Sequence, residues 1–559
     1  MNYPSFLKRV DQLANACNDE ALRLFVHEIA RTLSEERRDE FVQTLQGFCH
    51  VSQESFEEID DDGESTDEMI EKLQEISDGE RSLLCDYNEE WDDWRDSFKD
   101  EFRFSDPEGI LDDIAKAVAR LHECLDKEWH REGAWLAEAL APLAVTVYGE
   151  YPEASMNMKD LDTYGLLEFD YAKMAREAIY LACVGNEMDQ RAEEMLDIVS
   201  NLQVSFSLED ILGMGSAEID LDGFLPSWIE ALAKRTSAQA DALLGEALGM
   251  LEDDDAVLAY ASRYASSHPV LYQNILRDGG KNGDVGKMMR IGLKAMEEVP
   301  RECKERNEIC LLTAGFALGV QEQETAEKCW LEAFKTLPSA MNYLRLRLLS
   351  RCWDDYAGTV RGIYDEYYAS MDSWRRRALA PLLFFDGRFD EMIDQFMNPG
   401  NGIGWSGTFM KQGIALMLML LDRGNDQQIG MRKMIGTASG ACDFVDKEYC
   451  KGTQLAAGDD KNLFAECFGD WKRNITLSEE TCDEWLKKID GWIELRVGAI
   501  MAANRRKNYD ECAGFIAAYG EVLQSRGKDS GKYEVMWRYK NQYARRRAFH
   551  DSLKQFGMR

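Results

Sequence analysis

Apolar residues recur at steps of three and four along nearly the whole chain, while alternating runs rich in β-branched residues are almost missing. This pattern predicts an all-α protein, and only ten prolines interrupt it. One helix start can be read directly. Ser105, Asp106, Pro107 and Glu108 place a capping side chain before a first-turn proline and acids near the positive end of the helix dipole. Ile110, Leu111, Ile114, Val118, Leu121 and Leu125 then supply the buried stripe. The longest strongly apolar run, Ile414 to Leu421, is too short to span a bilayer, and the opening MNYPSFLKRVDQLANAC lacks a secretory core. The expectation is a cytoplasmic bacterial protein without a membrane span.

The same periodicity predicts a helix through NEEWDDWRDSFKDEF, residues 88–102. Leu84, Tyr87, Trp91, Trp94, Phe98 and Phe102 fall on one helical seam, whereas a strand would send Trp91 and Trp94 to opposite sides. The carboxylates Glu89, Glu90, Asp92, Asp93, Asp96, Asp100 and Glu101 must then face water or a partner.

A chain of 559 residues exceeds what one hydrophobic core usually supports. Glycine- or acid-rich breaks occur at 57–67, 278–286, 398–407, 422–440 and 524–531. The chain reads as N-terminal helices with an acidic loop (1–78), an acidic helical lobe (79–230), a helical-repeat segment (231–421), an exposed joint (422–440) and a C-terminal helical domain with a basic last helix (441–559). In the joint, DRGNDQQIGMRKMIGTASG, the cations Arg423, Arg432 and Lys433 are candidate sites of proteolytic nicking.

Ala326, Trp330, Ala333 and Pro338 carry a small residue, a large one, a small one and a helix stop at offsets 0, 4, 7 and 12. Ala295 with Pro300 is a partial copy. Gly387, Phe389, Met392 and Phe396, and likewise Asn508, Tyr509, Cys512 and Ile516, match the start of the same unit. The C-terminal half thus resembles a degenerate tetratricopeptide-repeat protein, with irregular spacing and about a third of the chain covered. The resemblance implies an irregular solenoid-like array of paired helices, in which small residues let helices approach and the large one fills the groove between repeats. It implies no chemistry.

Charge changes the picture. The net charge is −38, and residues 51–113 hold 25 Asp and Glu against five Lys and Arg. Such a surface repels phosphate backbones and attracts basic proteins, solubility being the competing explanation. At the other end, residues 526–559 carry ten Lys and Arg against three acids, with Arg538, Arg545, Arg546 and Arg547 interleaved with Tyr533, Trp537, Tyr539 and Tyr543. That tail is the one place where nucleic-acid contact is expected, its bland alternative being a terminal helix whose cations pair with acids elsewhere.

Candidate chemistry is sparse. Fourteen cysteines form no CxxC pair, and with six histidines the zinc-site spacings are missing. Gly402, Gly404 and Gly407 spell GxGxxG, but a dinucleotide loop needs a preceding strand, and an inter-helix turn with Trp405 in the core fits better. Glu58 to Gly63 and Glu218 to Gly223 imitate calcium loops, yet Met69 and Ile229 stand where the closing carboxylate belongs. His27 and His122 precede glutamates without a second histidine four residues on, so neither opens a zinc-protease motif, and His122 and His130 read as surface or satisfied interior groups. No catalytic residue, cofactor or metal is assigned. The expected function is a non-enzymatic scaffold, adaptor or acidic mask of a basic regulatory protein. The alternatives are an enzyme or nucleotide sensor using the 398–413 loop and a nucleic-acid-associated factor using the tail.

Overall fold

The computed structural model describes residues 64–559, apart from 93–96, 152, 218, 252, 373–374, 425–427, 458–461 and 559, with the side chains of 88–101, 281–282 and 406–407 also outside the description. The protein is 69% helical, with 26 α-helices and one four-stranded sheet among the described residues, a mostly all-α array as the periodicity predicts. It divides into two compact units, residues 1–260 and 261–559, rather than at the 230/231 boundary read from sequence.

In the first unit the helix Tyr171–Gly185 is the hub, with nine consecutive or near-consecutive buried residues from Met174 to Cys183. It packs on the helix His130–Leu140 at very close range: a Cβ on Gly185 would lie 2.1 Å from the His130 carbonyl oxygen. The unit's sheet, of order β2-β1-β3-β4, is formed by β1 (Leu83–Asp92), β2 (Ser97–Ser105), β3 (Ala144–Gly149) and β4 (Ser155–Asn157), and the helix Thr66–Ser77 packs on β3. β1 runs antiparallel to β2 and parallel to β3, and the helices Ile110–Asp126 and His130–Leu140 lie between β2 and β3 in the chain.

The acidic stretch is therefore a hairpin, and the helix expected from Leu84 to Phe102 is wrong. Its register pairs Tyr87 with Phe102 and Trp91 with Phe98, so residues whose spacing mimics a helical seam become cross-strand neighbours. The period-two signal is present but short: Leu83 and Cys85 are buried while Leu84 between them is 45% exposed. The following helix begins at Ile110, and Asp106 caps it by accepting from the Ile110 and Leu111 amides at 2.9 and 2.8 Å. Ile110, Ile114, Val118 and Leu121 are buried as expected.

Every regular element of the second unit among the described residues is a helix, and one apolar core runs from Cys310 to Met558. Its first part is built of successive packed helices, Val285–Glu298, Glu305–Gly319 and Gln323–Thr336. Small residues set their spacing: a Cβ on Gly292 would lie 2.1 Å from the Thr313 hydroxyl. Ala295, Ala326, Trp330 and Ala333 are all buried. Trp330 donates from its indole to the Gly452 carbonyl at 2.8 Å, so its groove is filled by the unit's own chain. Arg345 ties down the same segment, with its guanidinium on the carbonyls of Tyr449 and Glu448 at 2.9 and 2.8 Å. Burial without a carboxylate partner lowers the Arg345 pKa to about 10.

The exposed joint expected at 422–440 is largely a packed helix. Residues Ile429–Ala441 are helical, with Gly430, Met431, Met434, Ile435 and Ala438 buried. Gly430 serves close approach rather than flexibility, since a Cβ there would lie 2.5 Å from the Ala518 nitrogen on the helix Tyr509–Ser525. The buried carboxylate of Glu521 on that helix accepts the Gly430 and Met431 amides at 3.0 and 2.7 Å, capping the glycine-rich helix from outside. Lys532 donates to the same carboxylate at 2.6 Å. Of the described residues in this stretch before Ile429, 422–424 and Gln428 lie outside the helix.

Candidate partner-binding surfaces

Charge is divided between the units to an extent that the local count does not convey. Residues 1–260 hold 62 Asp and Glu against 21 Lys and Arg, and residues 261–559 hold 41 against 44. The first unit thus carries −41 and the second +3, which together give the −38 of the chain. One-to-one pairing could neutralise only about a third of the first unit's acids, so most must face solvent or a partner.

Glu89, Glu90 and Asp92 lie on β1, opposite Asp100, Lys99 and Ser97 of β2 in the register, whereas Asp93 and Asp96 fall outside the described residues. The acids thus concentrate on the two strands of one hairpin rather than on the back of a helix. At the sheet end of the hairpin, Phe102, Phe104, Tyr151 and Tyr164 form an edge-to-face cluster with ring centroids 5.2 to 6.2 Å apart. On the opposite face Leu84 and Tyr148, partners in the β1–β3 register, are 45% and 58% exposed. Sequence reasoning missed this aromatic sheet; the alternation of Phe102 and Phe104 was its available signal.

The basic tail behaves differently. Arg538 makes a two-pronged pair with Asp490, and Arg546 donates to Asn504 at 2.6 Å and to the Met501 carbonyl at 2.9 Å. Lys540 sits over the Trp537 ring, and Tyr539 is buried. Arg545 and Arg547 are exposed. The structure thus brings two of the four tail arginines into the unit's own contacts and leaves two at the surface. Of the proposed nick-site cations, Arg432 and Lys433 lie on the helix Ile429–Ala441, with Lys433 paired to Asp510 at 3.2 Å. Arg423 lies outside it, donating its amide to Ser525 at 2.8 Å and pairing through its side chain with Glu479.

The GxGxxG loop is a turn between the helices Phe389–Phe396 and Met410–Leu421, with Trp405 buried beneath it. Its polarity opposes anion binding. The guanidinium of Arg496, itself buried, donates to the carbonyls of Gly402 and Ile403 at 2.8 and 2.7 Å and to Glu511 at 2.8 and 3.0 Å, and it stands 5.3 Å from the centre of the Trp405 ring. Phosphate loops present amides to the ligand, whereas this one presents carbonyls to a cation. Gly402 is needed there, since its φ is +80° and a Cβ would lie 2.7 Å from the Leu495 carbonyl oxygen.

His122 is half-buried, and its Nδ1 meets the buried Glu177 carboxylate. Burial raises the Glu177 pKa, and His122 and Lys173 oppose that rise. Asp220 caps the helix Leu221–Leu232 through the Gly223 amide, which accounts for the second calcium-like stretch. The Glu58 to Gly63 copy and His27 lie outside the described residues. Among the described residues no three His, Cys, Asp or Glu side chains cluster as a metal site would require, and no helix is long and apolar enough to cross a membrane. In comparisons with known proteins, no family model, no curated protein and no solved structure matches this chain.

Proposed function

We propose that this protein is a non-catalytic scaffold or adaptor whose acidic first unit receives a basic protein, with a tetratricopeptide-like helical second unit as its framework. The observation that carries this reading is the division of charge: −41 in one compact unit and +3 in the other. Uniform solubility would not require such segregation, and self-repulsion within the first unit is a cost that a cationic partner relieves. Packed helices with small residues at their contacts support the tetratricopeptide-like part. The cation-filled glycine loop and the internally paired tail arginines weigh against the nucleotide and nucleic-acid alternatives. The test is capture of partners from the native host on the full-length protein, with a variant neutralised at Glu89, Asp92, Asp93 and Asp96 as the control. A cationic protein retained by the wild type and depleted on the variant is the expected result. Equal retention on both would remove the hairpin from the interface.

A further inference from the structure

An open cavity of about 490 Å³ in the second unit has a composition that a solvent-filled crevice does not need. It is walled by Met371, Ala378, Phe409 and Ala441, and its polar groups are Arg375, Arg377, Gln412 and Asp443. The neighbouring Arg376 is not among them, because its guanidinium is engaged by the Tyr368 and Met371 carbonyls at 3.0 and 2.9 Å and lies 4.5 Å from the centre of the Tyr368 ring. The side chains of Arg377 and Asp443 make no hydrogen bond or ion pair among the described residues, so opposite charges face one cavity without having neutralised each other. Asp443 is held there by backbone geometry, at φ +46° just past the helix Ile429–Ala441.

The geometry points to a binding site for a small zwitterion with an apolar body, the chemical class of the hydrophobic α-amino acids. The carboxylate pairs with Arg377, the ammonium donates to Asp443, and the apolar body lies against Met371, Ala378 and Phe409. A purely anionic ligand would leave Asp443 repelled, and a purely cationic one would meet two arginines. The site is independent of the acidic unit and of the partner proposed for it.

The test is isothermal titration of the full-length protein with L-phenylalanine and L-leucine, alongside phenethylamine and 3-phenylpropionate, which lack the carboxylate and the ammonium respectively. Saturable binding of at least one amino acid is expected, weakened tenfold or more by removal of either charge from the ligand. Arg377→Gln and Asp443→Asn should each reproduce that loss. Asparagine tolerates a positive φ, so the second variant removes charge without straining the turn. Circular dichroism of each variant establishes that it is folded. The proposal is overturned if neither amino acid binds at about 10 mM, a concentration that would register even very weak association. It is equally overturned if 3-phenylpropionate or phenethylamine binds as well as phenylalanine, or if a folded Asp443→Asn variant binds undiminished.

Discussion

Replacing Arg496 by methionine keeps most of the side-chain stem and deletes the guanidinium that fills the glycine-rich loop. Four hydrogen bonds disappear: two to Glu511 and one each to the Gly402 and Ile403 carbonyls. Glu511 retains Lys411, so its charge is not stranded, but the two carbonyls lose their buried donor. An unsatisfied buried acceptor costs about 1–3 kcal/mol, and breaking a buried ion pair by removing one partner costs about 3–5 kcal/mol in all. The expected loss is therefore about 3–4 kcal/mol, offset only slightly by methionine's apolar fit. Urea unfolding followed by tryptophan fluorescence measures it, with Trp405 beneath the loop as a reporter. Gly402→Ala should cost a further, separate amount, about 1–2 kcal/mol for the left-handed backbone alone and more for the contact with Leu495. A loss below about 1 kcal/mol in Arg496→Met would refute the structural account of this loop and reopen an anion-binding role.

Glu521→Ala should destabilise the second unit by about 2–4 kcal/mol, because it uncaps the helix Ile429–Ala441 and strands Lys532; a shift of less than about 1 kcal/mol in urea melts would show that the helix does not depend on this carboxylate. Limited trypsin digestion read by mass spectrometry should cut after Arg423, in the connection outside the helix, before Arg432 or Lys433, and the reverse order would restore the long exposed joint. Among the described cysteines, exposed Cys352 should react first with a thiol reagent at neutral pH. Burial pushes the thiols of Cys124 and Cys467 up to about 11 and those of Cys183, Cys329 and Cys512 to about 12, so their thiolates form only well above that pH; early labelling of Cys183 or Cys512 would contradict the packing.

The helical array was legible where its stripes are regular: Ile110, Ile114, Val118 and Leu121 fall on one face, whereas the runs Met410–Leu421 and Tyr509–Ser525 are buried almost all round and read as helix by length rather than by stripe. The hairpin was not legible. Its large residues sit at spacings of three and four that satisfy a helix as well as a strand pair, and the deciding contacts join Leu83 to Val147 across two intervening helices. The glycine-rich helix Ile429–Ala441 misled for a related reason. Local composition reports flexibility, whereas Gly430 is spent on a backbone approach to residues some ninety positions away. The role of Arg496 was equally hidden, since nothing between Gly402 and Gly407 shows which charge the loop faces. Overall charge could be read directly, but its segregation required the unit boundary at 260/261.

The central claim is tested most directly by the rate at which the full-length protein associates with the cationic protein recovered from its host, measured from low to physiological salt. Exposed charges are screened beyond about 8 Å at physiological ionic strength, so association driven by the first unit should slow at least tenfold across that range. The variant neutralised at Glu89, Asp92, Asp93 and Asp96 should start slower and depend less on salt, with dissociation changed much less than association. Lysozyme, an unrelated basic protein, should bind far more weakly under the same conditions. An association rate indifferent to salt and to the four neutralisations would contradict the account and leave solubility as the reason for the acidic unit.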